Sequence, residues 1–327
     1  MQTATLEAFE SERPRLLSVA YRLTGSVVDA EDAVQDAWLR LERISTSSTS
    51  GEAIANLEAW LTTVVSRLCL DRLGSAAKRR ETYVGQWLPE PVVTSLDASD
   101  PLAEVVRGED ARFAALVVLD VLPPAQRVAF VLHDAFGVPF DEIAEALDVE
   151  PAYARQLASR ARKAVADPPP PTPDDEHIAA VTRFVEAMAT GDLDAIIATL
   201  HPDALVMGDA NGTTSTAVNV IHGAEKFARF YIGLMNRYGP HALEGLEPVL
   251  VNGQLGFVTH GWQGETEKLS SPPRVAAFAV KDGKVWASYD IANPEKHAGV
   301  RLASWGERLA PLPAPATSSL PGSRPDA

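Results

Sequence analysis

Residues 140–165, FDEIAEALDVEPAYARQLASRARKAV, read as two short helices with a tight turn between them. Phe140, Ile143, Ala144 and Leu147 recur at helical spacing and predict a buried face, with Ala144 small enough for a second helix to cross closely. Asp148-Val149-Glu150 is the turn. Its first position calls for a left-handed residue, where glycine is the easy choice and aspartate is tolerated at modest cost. Val149 is the apolar plug, and Pro151 suits the first position of the second helix, where a missing N–H costs nothing. Along that second helix Arg155, Ser159 and Arg162 share one face, with Gln156, Arg160 and Lys163 beside them. A recognition helix presents such a face to the major groove. The same pattern also fits a helical hairpin with a solvated basic face.

The chain around this motif is acidic, with a formal net charge of -15 over 327 residues. Residues 1–167 hold 17 Lys and Arg against 26 Asp and Glu, and residues 168–327 hold 12 against 18. Long-range attraction to DNA is therefore weak. Basic charge is concentrated in two places: Arg67, Arg72, Lys78, Arg79 and Arg80 against Asp71 in residues 60–80, and residues 155–163, which contain no acid. The single cysteine, Cys69, sits in an apolar helical pattern, which excludes a disulfide framework and a cysteine-based zinc site. The acid-rich first fifteen residues lack a signal-peptide core, and no apolar run approaches a membrane span. These features predict a cytoplasmic protein with no membrane partner.

Helical spacing runs through residues 5–43, broken by Thr24-Gly25-Ser26, and resumes in LEAWLTTVVSRLCLDRL (57–73) ahead of the basic AAKRR. Trp60 falls in the apolar pattern and reads as core. Residues 81–108 are punctuated by Pro, Asp and Gly and include WLPEP at 87–91; they read as an interdomain linker. Helices return over 109–166. DPPPPTPDD (167–175), within a Pro-rich linker at 167–176, marks a stiff boundary. Beyond it, helices at 177–190, 192–200 and 223–238 precede strand-like segments, two of them joined at Lys281-Asp282-Gly283 as a hairpin. Residues 177–300 therefore form an α+β domain, and 301–327 read as a disordered tail by composition.

The order of these parts resembles the extracytoplasmic-function sigma factors of bacterial RNA polymerase. DAEDAVQDAWLRL (29–41) looks like their core-polymerase-binding helix, AWLTTVVSRLCLDRLGSAAKRR (59–80) like the start-proximal promoter helix, and residues 122–165 like the upstream promoter domain. The resemblance implies two all-α sigma domains, 1–80 and 109–166, the second a helix-turn-helix. It places Asp32, Gln35, Asp36 and Leu39 against the polymerase core. It places Arg67, Arg72, Lys78, Arg79 and Arg80, together with Tyr153, Arg155, Gln156, Ser159, Arg160 and Arg162, on promoter DNA. Two departures stand out: the polar STSSTSGEA loop (45–53) is longer than usual, and Tyr153 stands where a small hydroxyl residue is common. An acidic carrier with local basic patches suits a protein that reaches DNA together with polymerase.

FVEAMATGDLDAIIATLHPDALVMGD (184–209) looks like the opening of a SnoaL-like, NTF2-type cone domain. WLPEP, the DANGT loop (209–213) and NPEK (293–296) together resemble the sigma-J-like subgroup, which carries that domain fused to the sigma core. The resemblance implies regulation by contact between Trp87, Leu88, Pro89, Glu90 and Pro91 of the linker and Asn293, Pro294, Glu295 and Lys296 of the cone domain, with either sign of effect. It requires no separate anti-sigma factor. Cone folds enclose a pocket open to a small-molecule ligand, with Asp209, His222, His260, Tyr289 and Asp290 as candidate acid–base groups. These form no diagnostic constellation, so the reading is not an enzyme. The seven histidines lack metal-ligand spacing, and no metal or cofactor is predicted. A stand-alone helix-turn-helix regulator sensing a small molecule is the alternative; it would bind specific DNA without polymerase.

Overall fold

The computed structural model describes residues 2–46, 54–80, 82–96, 103, 105–106, 108, 111–165, 172–239, 245–264, 266, 270–303 and 305, with backbone alone for residues 2–4 and 77–80. The loop at 47–53, most of the Pro-rich stretch and the segment 306–327 lie outside the described residues.

Three helices open the chain: α1 (Gln2–Thr24), α2 (Val27–Thr46) and α3 (Leu57–Arg80). Gly25, with φ of 67°, makes the left-handed corner between the first two. Leu16, Val19, Ala20 and Leu23 of α1 meet Ala30, Ala33, Val34 and Ala37 of α2 and Leu61, Val65 and Cys69 of α3 in a shared core. Burial raises the Cys69 thiol to about 12, so it stays protonated and packs as a small hydrophobe.

The second helical unit comprises α4 (Phe113–Leu119), α5 (Pro124–Phe130), α6 (Phe140–Leu147) and α7 (Pro151–Ala164). Pro123 and Pro124 start α5. Asp148 takes the left-handed turn position, with φ of 54°, and Pro151 opens α7. Ile143, Ala144, Ala154, Leu157, Ala158 and Ala161 form the seam between α6 and α7. This seam is continuous with the core of α1–α3, so both helical units share one hydrophobic cluster.

The rest is an α+β cone. Helices α8 (Asp174–Thr190), α9 (Leu193–Thr199) and α10 (Ala224–Tyr238) cover one face of a sheet built from β1 (Val93–Thr94), β2 (Leu200–Asp209), β3 (Ile221–His222), β4 (Glu247–Val251), β5 (Gln254–Thr259), β6 (Arg274–Lys281) and β7 (Lys284–Ile291). Strand order is β1-β4-β5-β6-β7-β2-β3, antiparallel throughout except for the parallel β2–β7 pair. Two-residue turns close the β4–β5 and β6–β7 hairpins. Asn252-Gly253 and Asp282-Gly283 both have positive φ at each position, the I′ geometry that matches strand twist.

The sheet's inner face packs Val206 and Phe278 against Phe184 of α8 and Phe227 of α10. Its outer face, Val249, Val258, Val275, Ala277, Tyr289 and Ile291, is covered by Leu88 and Val93 of the linker and by Phe113 and Ala114 of α4. The linker therefore belongs partly to the sheet: Val93 and Thr94 pair with Val251 and Leu250 of β4. On its other side Val93 bridges to Val300, so this short strand is held between β4 and the chain's closing segment. The stretch read as a tail begins packed. Leu302 is buried, and Trp305 lies against the His297 and His260 rings.

Candidate nucleic-acid interface and interdomain clamp

On α7, Tyr153, Arg155, Gln156, Ser159, Arg160, Arg162 and Lys163 are exposed, and the alternating Ala154, Leu157, Ala158 and Ala161 are buried. Amphipathic packing thus turns the predicted reading face outward. Two of its arginines are already oriented: Arg155 lies 5.4 Å over the Phe140 ring, and Arg162 pairs with Asp134 at 2.8 Å. On α2, Asp32, Gln35 and Leu39 are exposed. Asp36 is half-buried and accepts a hydrogen bond at 3.1 Å from Arg72, whose Nε also lies 3.9 Å from Asp29. Arg72 thus braces α2 against α3. Lys78, Arg79 and Arg80 fall in the last turn of α3, where only the backbone is described.

Arg67 is exposed, and its guanidinium donates to the Glu145 carbonyl of α6 at 2.6 Å, so α3 is fastened to α6. Two buried arginines fasten the same units. Arg127 of α5 donates to the Leu23 carbonyl at 3.1 Å and pairs with Asp120 at 2.8 Å; Arg22 of α1 donates to the Val105 carbonyl at 3.0 Å and lies over Phe136. A buried cation is retained only where it is hydrogen-bonded; Arg127 finds a carbonyl of α1 across the junction, and Arg22 finds one in the linker.

The linker is gripped at two centres. The first is Asp209, fully buried at the end of β2. Its carboxylate accepts from the Leu88 amide at 2.7 Å, from Lys296 Nζ at 2.6 Å and from the Tyr83 hydroxyl. The Lys296 ammonium also donates to the Leu88 carbonyl and sits 3.7 Å from the centre of the Trp87 ring. Asn293 Nδ2 donates to the Tyr83 hydroxyl at 2.8 Å, while its Oδ1 caps the Pro294–Lys296 turn by accepting from Glu295 N. Burial, reinforced by the Asp209 carboxylate, pushes the Tyr83 phenol well above its ordinary range, keeping it a donor. WLPEP and NPEK thus meet through Asp209. Asp209 opens the DANGT loop that the sequence resemblance groups with WLPEP and NPEK, and it is also one of the candidate acids.

The second centre is Asn252. Its side chain accepts from the Val92 amide at 3.0 Å and donates to the Tyr21 hydroxyl at 3.0 Å and the Ala111 carbonyl at 2.8 Å; its own amide donates to the Val92 carbonyl at 2.8 Å. One hairpin turn residue therefore touches α1, the linker and the approach to α4. Glu90 completes the seam. Its carboxylate accepts from the Ser26 hydroxyl and the Val27 amide, both at 2.7 Å, capping the N-terminus of α2 from the linker. Close approach matters at Gly299, where a Cβ would fall 2.3 Å from the Pro91 carbonyl oxygen.

The remaining candidate acid–base groups are dispersed. Tyr289 stacks on Phe113 in the interface, His260 pairs with Glu247, and Asp290 pairs with Arg274. Among the described residues no group of three or more His, Cys, Asp or Glu is placed to hold a metal, and no helix is long and apolar enough to cross a membrane.

Burial depresses the basicity of His177, which donates to the Leu255 carbonyl, and of His297, which donates to the Ile291 carbonyl. Folding therefore favours their neutral forms. Their stability contribution is complete above the ordinary imidazole value of about 6.5 and is lost as pH falls below it. Burial raises Glu90 instead, so that group opposes the trend: its contribution is present below its unfolded value and lost as pH rises. Urea midpoints of the full chain should fall between pH 7.5 and 5.5, and His177→Gln should flatten that slope. An unchanged slope would remove His177 from the account.

Three family models match in order: Sigma-70 region 2 over residues 8–79, Sigma-70 region 4 over 112–165 and a SnoaL-like domain over 181–288. The chain is 56% identical over 297 residues to the ECF RNA polymerase sigma factor SigJ of Mycobacterium tuberculosis, covering 90% of this chain and 93% of that protein. It is 32% identical to the probable ECF RNA polymerase sigma factor SigI of the same species, covering 88% and 92%. The crystal structure of Mycobacterium tuberculosis SigJ superposes with a TM-score of 0.78 at 54% identity, covering 91% of this chain and 99% of that one. Both sigma regions are present, so a stand-alone regulator is not favoured, and the function is to direct RNA polymerase core to promoters rather than to catalyse a reaction. With two sigma regions joined to a SnoaL-like domain by a clamped linker, the chain belongs to the extracytoplasmic-function RNA polymerase sigma factors.

Proposed function

We propose that the fused cone domain restrains this sigma factor by holding its two DNA-facing units together through the linker. The observation that carries the reading is the Arg67–Glu145 contact on a shared hydrophobic core. A residue that the resemblance assigns to start-proximal promoter DNA is occupied by the unit that it assigns to upstream DNA, and the two units cannot reach separated sites while packed. The restraint is built into the chain, so no separate anti-sigma factor is needed for it, and the protein acts in the cytoplasm. Asp32, Gln35, Asp36 and Leu39 face the polymerase core. Arg155, Gln156, Ser159 and Arg160 read the upstream element, with Tyr153 at the helix start and Arg162 braced by Asp134. Lys78, Arg79 and Arg80 contact phosphates, and Arg67 joins them once Glu145 releases it.

Transcription in vitro with purified core polymerase tests both halves. Arg155→Ala and Arg160→Ala should each lose promoter-specific transcripts, about tenfold for a loss of 1–3 kcal/mol per base contact, while core binding is retained. Trp87→Ala removes the ring beneath the Lys296 ammonium, worth about 1–2 kcal/mol, and should raise output without unfolding either helical unit. Wild-type output from a folded Trp87→Ala chain would count against restraint through the linker.

A further inference from the structure

Directly after α5, residues Val131–Ala135 form a π-helical turn. Such turns are wider than an α-turn, rare, and concentrated at functional sites. This one delivers two consecutive side chains toward α7. His133 stacks on Phe140 with ring centroids 4.0 Å apart, and its Nδ1 meets the Val138 carbonyl at 3.2 Å. Phe140 in turn supports Arg155. Asp134 reaches Arg162 directly: Nε donates to both carboxylate oxygens, at 2.9 and 3.1 Å, and Nη2 lies 2.8 Å from Oδ1. Two arginines on one face of α7, one near its start and one near its end, are thus braced from a single turn. Asp134 and Arg162 stay partly open to water, so their pair adds little to stability. What it fixes is direction. A guanidinium carries five N–H donors in a rigid plane, and the Nε side of Arg162 is committed to Asp134. Its far edge, Nη1 with the outer Nη2 proton, has no partner among the described residues and is held at a set angle.

Charge decides which DNA group that edge suits. A phosphate contact gains from net positive charge, through counterion release. Arg162 brings little, because the Asp134 carboxylate offsets it and is itself repelled by the backbone. A base edge asks instead for two parallel donors in a fixed plane, and guanine O6 and N7 offer the matching acceptors in the major groove. We infer that Asp134 is a specificity-determining positioning residue, which fixes Arg162 to read one guanine of the upstream element. The inference rests on the reading of α7 proposed above. A loose arginine can swing to a phosphate or a neighbouring base and so tolerates a wrong pair. A braced one cannot, and the wrong base leaves its donors unpaired.

The test is transcription by full-length protein with core polymerase from a promoter library randomised across the upstream element, with transcripts sequenced at several salt concentrations. The wild type should prefer guanine about tenfold at the position that Arg162→Ala relaxes. Asp134→Ala should cut the preference at that one position to about twofold and leave unchanged the positions that Arg155→Ala relaxes. It should also raise the use of mismatched promoters, with a salt slope steeper by about one, because Arg162 then presents an unpaired charge to the DNA. Loss of preference at every position together, without that gain on mismatched promoters, would make Asp134 a structural residue and overturn the proposal. Wild-type discrimination in the Asp134→Ala chain would overturn it too, as would an Arg162→Ala chain that weakens all promoters equally, the mark of a phosphate contact. In both of those cases the reading of α7 survives if Arg155→Ala still relaxes its own position. If neither arginine variant changed any base preference, the reading of α7 would fail and this proposal with it.

Discussion

Lys296→Met destabilises the docked linker by about 3–5 kcal/mol, the penalty for leaving a buried carboxylate without its cation. Asp209 is fully buried, so its charge cannot move to solvent without opening the end of β2. The Leu88 amide and the Tyr83 hydroxyl still donate to it, but neither brings a positive charge. Urea unfolding should therefore show an early transition assigned to linker release, and promoter-directed transcription should rise. The double variant Asp209→Asn, Lys296→Met removes both charges and should recover most of the stability, because an uncharged pair of similar size leaves no unpaired ion. If Lys296→Met lowered transcription despite a folded chain, the clamp would be needed for the active geometry, and its sign would be reversed. An unaltered melting profile would mean that Lys296 is not needed to hold the buried Asp209 carboxylate.

The second large effect is at Asn252. Asn252→Ala strands the Val92 amide and the Ala111 carbonyl and removes a partner of the Tyr21 hydroxyl. At about 1–3 kcal/mol for each buried group left unpaired, a total near 3 kcal/mol follows after partial rehydration. Alanine also fits the left-handed turn poorly, since Asn252 has φ of 49°. Asn252→Gly separates the two causes: it relieves the backbone and leaves the hydrogen bonds missing. A glycine variant nearly as unstable as the alanine variant assigns the loss to the side-chain network, whereas recovery to wild type assigns it to the turn. Because this residue touches α1, the linker and the approach to α4, protection should fall at Tyr21, Val92 and Ala111 together.

These two centres mark where sequence reading stopped. The helix-turn-helix was legible because its constraints are local: apolar spacing, a left-handed Asp148 and Pro151 at a helix start each have a nearby cause. The Asp282-Gly283 hairpin was legible for the same reason. Asn252-Gly253 shows the limit, since an Asn-Gly pair between strands predicts a turn and says nothing of what the amide reaches 231 positions away at Tyr21. Asp209 stands alone in sequence, and its partners come from Tyr83, Leu88 and Lys296. The strand at Val93–Thr94 is too short to show alternation. The packing of α3 on α6 was hidden because an apolar helix face carries no label for its partner. Arg67 illustrates the result: the resemblance places it on promoter DNA, and no sequence pattern announces its hydrogen bond to the Glu145 carbonyl.

The insertion of Val93 between β4 and Val300 has a consequence for the order of synthesis. The ribosome completes both promoter-facing units by residue 165, before the sheet that grips the linker exists. At roughly 5–20 residues per second, the remainder takes on the order of ten seconds. During that interval Leu88, Val93 and Phe113 have no partner surface, and the nascent chain lacks the cone domain's hold on its linker. The last strand contact, at Val300, is therefore also the last to be made, so a chain that stops short of it is born with the linker unlatched.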